Sequence, residues 1–204
     1  MDRKDVWNRV YTTKQPTELS WYQAAPARAF DLLRAMNAGP ATEIIDVGGG
    51  DSTFVDVVTA ARLGHLTVLD ISAAALARAR ARLGVLAAHV TWIEGDVTCV
   101  ELPAQRFDVW HDRAVFHFLT EPEDRTCYIA MAAAALRPGG VLIIATFAHD
   151  GPTRCSGLEV ARYSAADLAR TFGGAFVLEQ NFADLHRTPG GVEQRFTVAV
   201  LRRG

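Results

Sequence analysis

The sequence predicts an α/β fold: a doubly wound sheet, mostly parallel with an antiparallel last strand, and helices on both faces. Three observations point there. Short apolar runs alternate with helix-length segments from Glu43 onward, the first run ends in three successive glycines, and the last two runs follow each other without a helix between them. Alternating strand and helix units build parallel sheets covered on both faces, and adjacent strands without a crossover pair antiparallel.

In chain order, residues 1–40 form an N-terminal segment with aromatics at Trp7, Tyr11, Trp21 and Tyr22 and a helix expected over 26–36. Residues 41–204 form the core of what reads as a single domain spanning 1–204. EIIDV (43–47), LTVLD (66–70), VTWI (90–93), FDVWH (107–111) and VLIIATF (141–147) are rich in β-branched or aromatic residues, as strands buried on both faces are. SAAALARARARL (72–83) opens on a Ser suited to N-capping and stops at Gly84. The Ala-rich segment 125–136 ends before Pro138-Gly139-Gly140, which cannot continue a helix. A helix is expected over 163–172, capped by Ser164 with Asp167 completing an imperfect capping box. Residues 176–182 and 194–201 are the two closing strands.

Composition narrows the class of function. The 204 residues suffice for one domain, and 21 basic against 23 acidic side chains leave a net charge of −2. A balance so near neutrality lacks the basic footprint of a nucleic-acid binder. Half of the residues are hydrophobic, which excludes a disordered chain. Cys99, Cys127 and Cys155 form no C-x-x-C pair, arguing against a disulfide framework or zinc site. No apolar run approaches the ~18 residues of a membrane span, and the opening MDRKD has no apolar signal core. The expectation is a cytoplasmic domain with no nucleic-acid or membrane partner. Its oligomeric state is open.

The most informative segment is DVGGGDS (46–52), directly after the first strand. Glycines there permit a tight turn and let a ligand approach the backbone. The dinucleotide fingerprint G-x-G-x-x-G fails, because its third glycine position from Gly48 is Thr53. Asp70 ends the second strand about 20 residues on, where a carboxylate can accept from ribose hydroxyls; the alternative is a helix cap. Gly95-Asp96 follows the third strand. All three features fall at carboxyl ends of strands, the edge where open α/β sheets bind ligands.

Taken together, DVGGGDS, VLDIS, EGDV, FDVWHD and LRPGG followed by VLIIATF resemble the motif series of class I S-adenosylmethionine-dependent methyltransferases, over about residues 43 to 147. The resemblance implies a Rossmann-like core and S-adenosylmethionine as cofactor. It implies that Asp46 and the turn Gly48, Gly49, Gly50 surround the methionine part, with Ser52 where the family's third loop glycine usually stands. It places Asp70 on the ribose hydroxyls, Ile71 beside the adenine, Asp96 on the adenine amino group and the Val97 amide on the ring. WNRVYTTKQPTELSWYQ (7–23) is similar to the opening of a subgroup that includes lysine methyltransferases of elongation factor and citrate synthase. That likeness makes Trp21, Tyr22 and Gln23 a candidate lid; the alternative is that Trp21 and Tyr22 staple the first helix to the sheet.

Acceptor choice is expected in WHDRAVFHFLTEPED (110–124), at the end of the fourth strand. His111 or His117 is a candidate general base, Asp112 a group to orient an amine or a His, and Arg113 a clamp for a carboxylate. The alternative is a local Asp112–Arg113 ion pair and a packed His117. The six-residue gap between His111 and His117 lacks the spacing of a metal motif, and no metal is expected. The Cys155 and His186 segments are candidate substrate walls, with Cys155 a passive thiol rather than a nucleophile and 186–194 a hairpin loop. The expected function is methyl transfer by in-line displacement, with a small-molecule acceptor favoured over a protein lysine. A non-catalytic cofactor-binding protein or a nucleotide-dependent oxidoreductase are the other classes.

Overall fold

Five parallel strands form the first part of the sheet: β1 (Glu43–Val47), β2 (His65–Asp70), β3 (Val90–Glu94), β4 (Phe107–Arg113) and β5 (Leu136–Phe147). A ribbon of two-residue strands, β6 (Arg154–Cys155) and β7 (Leu158–Glu159), follows, and then the long hairpin of β8 (Phe176–Arg187) and β9 (Glu193–Arg203). In this computed structural model, which describes residues 3–204, the main sheet runs β3-β2-β1-β4-β5-β9-β8. Met1 and Asp2 of the charged opening lie outside the described residues. Strand β9 inserts antiparallel between β5 and β8. The order reverses between β1 and β4, so their carboxyl ends diverge into the switch-point crevice of an open α/β sheet.

Helices α1 (Arg3–Thr13), α2 (Ala27–Ala35), α3 (Phe54–Ala61), α4 (Ala73–Leu83), α5 (Pro122–Ala135) and α6 (Ala165–Phe172) flank the sheet. Strand side chains alternate between faces, and two apolar cores result. Ile44, Val68, Val109, Ile143 and Val198 pack with Leu33 of α2, Val58 of α3 and Leu76 of α4. Their sequence neighbours Ile45, Leu69, Trp110, Ile144 and Ala199 pack on the other face with Tyr128 of α5 and Leu168 of α6. Among the described residues no helix is long and apolar enough to cross a membrane.

Several boundaries differ from expectation, each for a local reason. Helix α5 starts at Pro122 rather than 125, because proline is well placed at a first helical position. The capping box of α6 is complete: Asp167 N donates to Ser164 Oγ (3.1 Å) and Ser164 N to Asp167 Oδ2 (2.8 Å). Pairing continues through His186 and Gln194, which are register partners, so the hairpin loop is only 188–192. Strand β4 runs past His111 to Arg113, a difference that reorganises the candidate site.

Candidate functional site

The turn after β1 shapes the crevice. Gly48 and Gly50 take positive φ values of 65° and 31°, and the Gly48 amide donates to Leu69 O (2.7 Å), tying the turn to β2. A Cβ at Gly48 would collide with Val115, and one at Gly50 would stand 2.6 Å from Asp70 Oδ2. Only glycine combines these dihedrals with that close approach. Ser52 Oγ accepts from Phe54 N (3.1 Å) at the start of α3.

Asp70 sits beneath the turn, 6% exposed, and accepts from Ser72 N (2.7 Å). Burial pushes its carboxyl up to about 7; the Ser72 amide opposes this and the Asp46 charge adds to it. Ser72 Oγ caps α4 by accepting from Ala75 N, and donates to Asn8 Oδ1 (2.8 Å), so the α4 cap also holds α1 in place. Asp96 accepts from Thr98 N (2.9 Å) and Thr98 Oγ1 (2.7 Å), and Arg3 reaches it across the crevice mouth at 3.5 Å.

Asp70, Ile71, Asp96 and Val97 line one end of a crevice of about 810 Å³, open mouth included; Arg113, Ala114, Val115 and Cys155 line the other. Trp7 and Tyr11 of α1, with Trp21, form its roof, and the Trp7 ring meets Phe118 edge-on at 5.0 Å. An adjoining pocket of about 540 Å³ is lined by Asp46, Gly49, Ser52, His111, Arg113, Tyr22 and Gln23.

Asp46 and His111 are register partners on adjacent parallel strands, so their side chains leave the sheet on one face. Asp46 Oδ1 lies 2.7 Å from His111 Nδ1, and the imidazole stacks on Phe54 at 4.2 Å between ring centroids. A carboxylate only accepts, so the proton sits on Nδ1 and Nε2 is the basic nitrogen of the neutral ring. Asp46 Oδ2 is buried without a partner.

Of the four acceptor-side candidates, His111 and Arg113 come together and the other two do not. Because β4 extends to Arg113, strand alternation turns Asp112 to the opposite face. There it is fully buried and accepts from Tyr128 Oη (2.6 Å), Val115 N (3.0 Å) and Phe116 N (3.1 Å). Burial raises it to about 6 against these donors. Asp112 therefore holds the turn that places Val115 above Gly48; it neither faces the crevice nor pairs with Arg113. His117 is likewise corrected. It has no exposed surface, packs between Phe118 and Phe147, and its Nδ1 accepts from Phe147 N (3.4 Å). Burial, and next the Arg113 charge, lower it to about 3. A neutral imidazole walled off in the core is not positioned to take a proton from an acceptor.

The wall residues are also located. Trp21 is part of the roof and its carbonyl accepts from Arg113 Nη1 (3.0 Å), while Tyr22 faces the adjoining pocket. Cys155 lines the crevice, and burial pushes its thiol up, which keeps it a passive neutral group. His186 lies in β8, with Nε2 donating to Ser20 O (2.7 Å). The roof helix α1 was the main omission of sequence reasoning. Trp7 and Tyr11, one helical turn apart, are the signal that marks its inward face.

The cradle is compatible with an adenosylated sulfonium ligand: a glycine turn that no side chain could replace, a buried carboxyl at Asp70, and an unpartnered carboxylate oxygen on Asp46 suited to an ammonium group. Comparison with known proteins agrees. The methyltransferase-domain family matches residues 44–140. An uncharacterized methyltransferase of Mycobacterium bovis is 32% identical over 116 residues, 57% of this chain and 56% of the relative; the chain spans about half the length of that curated relative. A crystal structure of an S-adenosylmethionine-dependent methyltransferase from Anabaena variabilis superposes with TM-score 0.77 at 16% identity, covering 100% of this chain and 96% of the other. The Burkholderia thailandensis 1,6-didemethyltoxoflavin-N1-methyltransferase, with bound 1,6-didemethyltoxoflavin and S-adenosylhomocysteine, gives 0.70 at 20% identity over 98% and 86%. The glycine turn and the strand order agree with these matches: over residues 44–140 the chain is similar to methyltransferase domains, and its fold is that of solved S-adenosylmethionine-dependent methyltransferases.

Proposed function

We propose that this protein transfers a methyl group from S-adenosylmethionine to a nucleophilic atom of a small-molecule acceptor by direct in-line displacement. The observation that carries the reading is the roofed crevice running from Asp96 and Asp70, past the Gly48 turn, to Arg113 and Cys155. It gives one end to a nucleoside and leaves the other for an acceptor. The enclosed roof and the small-molecule substrate of the Burkholderia neighbour both favour a compact acceptor.

When bound, S-adenosylmethionine supplies a methyl group on a positively charged sulfur that leaves as a neutral thioether. Asp70 holds the ribose hydroxyls, with Ile71 against the adenine and Asp96 and the Val97 amide on its polar edge. Asp46, Gly48, Gly49, Gly50 and Ser52 surround the methionine part, with Asp46 Oδ2 receiving its ammonium. Trp21 and Tyr22, together with Trp7 and Tyr11, exclude water. Holding an acceptor atom in line with the breaking bond is worth roughly 7–11 kcal/mol. His111 Nε2 takes the acceptor's proton, with Asp46 stabilising the imidazolium; such a base contributes ~10²–10⁴ in rate.

Isothermal calorimetry with S-adenosylhomocysteine and with NAD tests the cofactor assignment. Binding of the homocysteine compound alone is expected, and binding of NAD alone would overturn it. Radiolabelled S-adenosylmethionine, incubated with a metabolite panel and with lysate protein, separates small-molecule from protein-lysine acceptors.

A further inference from the structure

Arg113 is a cation without a counter-ion. Its Nη1 donates to the Trp21 carbonyl (3.0 Å), its guanidinium lies over the Phe196 ring at 4.8 Å, and its Nη2 is buried with no partner. Among the described residues no carboxylate is within ion-pairing distance of it. Asp184, the acidic side chain that most favours its charge, pairs with Arg28 instead (3.7 Å). Burial lowers the guanidinium to about 10, so it is charged at neutral pH. A buried charge left unpaired in the free protein is costly unless a ligand completes it. A planar fork with one free edge favours a carboxylate.

Position says whose carboxylate. Arg113 ends β4, on the same face as His111 two residues earlier, and its surroundings are Phe196 of β9, Cys155 and Trp21. Most candidate cofactor residues stand at the carboxyl ends of β1, β2 and β3 or in the turns after them, across the switch point from β4, although Arg113 also borders the adjoining pocket with Asp46, Gly49 and Ser52.

Resting on the methyl-transfer reading, we infer that the acceptor is a small carboxylic acid, with its carboxylate gripped by Arg113 and its nucleophilic atom directed toward His111. The closing experiment first measures S-adenosylhomocysteine binding; its absence would remove the methyl-transfer reading itself. With that compound saturating, affinities of benzoate, phenylacetate and hippurate are compared with those of their primary amides by saturation-transfer NMR. The acids should bind at least about tenfold more tightly, as charge-assisted pairing requires. In Arg113→Gln that preference should shrink to within about twofold, with S-adenosylhomocysteine affinity within about threefold of wild type. Arg113→Lys should keep part of the preference. Acids no better than amides in the unmodified protein would overturn the inference, and that comparison needs no variant. It would also be overturned if Arg113→Gln weakened S-adenosylhomocysteine by tenfold or more while sparing 5′-methylthioadenosine, because Arg113 would then hold the cofactor's own carboxylate.

Discussion

His111 Nδ1 donates to Asp46 Oδ1 at 2.7 Å across two parallel strands, joining the end of β1 to the end of β4. The pair fixes the imidazole tautomer and, with the Phe54 stack, its orientation. His111→Gln retains a donor for Asp46 but has no basic nitrogen. We expect kcat to fall by ~10²–10⁴ with S-adenosylhomocysteine affinity within about threefold, read by steady-state kinetics on the acceptor and by calorimetry. An unchanged kcat would limit His111 to a structural role.

If Asp70 holds the ribose hydroxyls as proposed, cofactor binding should depend on pH. Its carboxyl titrates at about 7 in the free site because it is buried. Ribose hydroxyls donate to the ionised form and lower its pKa, so affinity should fall by up to about tenfold per pH unit as pH drops below 7. Calorimetry between pH 5.5 and 8.5 reads this, and Asp70→Asn should flatten the profile while weakening binding at pH 8 by about 1.5–3 kcal/mol. The folding linkage has the opposite sense. A folded pKa above the unfolded 3.8 means that this residue's contribution is full below about 4 and is lost as pH rises to about 7. Free Asp70→Asn should therefore melt above wild type at pH 8.

The sheet was largely legible because its strands are apolar runs and its turns are glycines, both direct consequences of burial and backbone geometry. Asp70 and the Gly48–Gly50 turn were legible on the same grounds. The end of β4 was not: Asp112 and Arg113 are polar and mimic a loop, yet they pair with Ile144 and Ala145. Missing those two residues of strand placed Asp112 beside its neighbours rather than behind them. Helix α1 escaped because RKDVWNRVYTT is mostly polar, with Tyr11 its one buried residue. Part of what holds it, the Asn8–Ser72 bond, spans 64 residues, which local patterns cannot report.

Trp110 Nε1 donates to Tyr128 Oη (2.9 Å), which donates to Asp112 Oδ2 (2.6 Å), all beneath the turn that carries Val115. Tyr128→Phe removes the middle of the chain and leaves Asp112 one donor short in the core. A loss of about 1–3 kcal/mol in urea unfolding is expected. Burial without Tyr128 should also push Asp112 further above its value of about 6, so the variant's deficit should grow from pH 5 to pH 8. A deficit that does not change with pH would show that packing, not the carboxylate, is what the hydroxyl supports.

Trp7 tests the roof independently of the chemistry. Its ring meets Trp21 at 5.8 Å and Phe118 at 5.0 Å, so one side chain joins α1, the Trp21 segment and the acceptor-side turn. Both contacts are edge-to-face, a geometry worth about 0.5–1.5 kcal/mol each beyond the area buried. Trp7→Ala removes both and opens the crevice where Asp70 and Ile71 face α1. S-adenosylhomocysteine should bind about tenfold more weakly, or 1.4 kcal/mol. Urea unfolding should change less than binding, because the two apolar cores that hold the sheet do not include Trp7. Solvent entry should also strengthen the competition of water for the polar groups at the Asp70 end. Trp7→Phe keeps an aromatic edge and should recover most of the affinity. Equal binding by wild type and Trp7→Ala would mean that α1 lies over the crevice without closing it, and water exclusion would then rest on Trp21 and Tyr22.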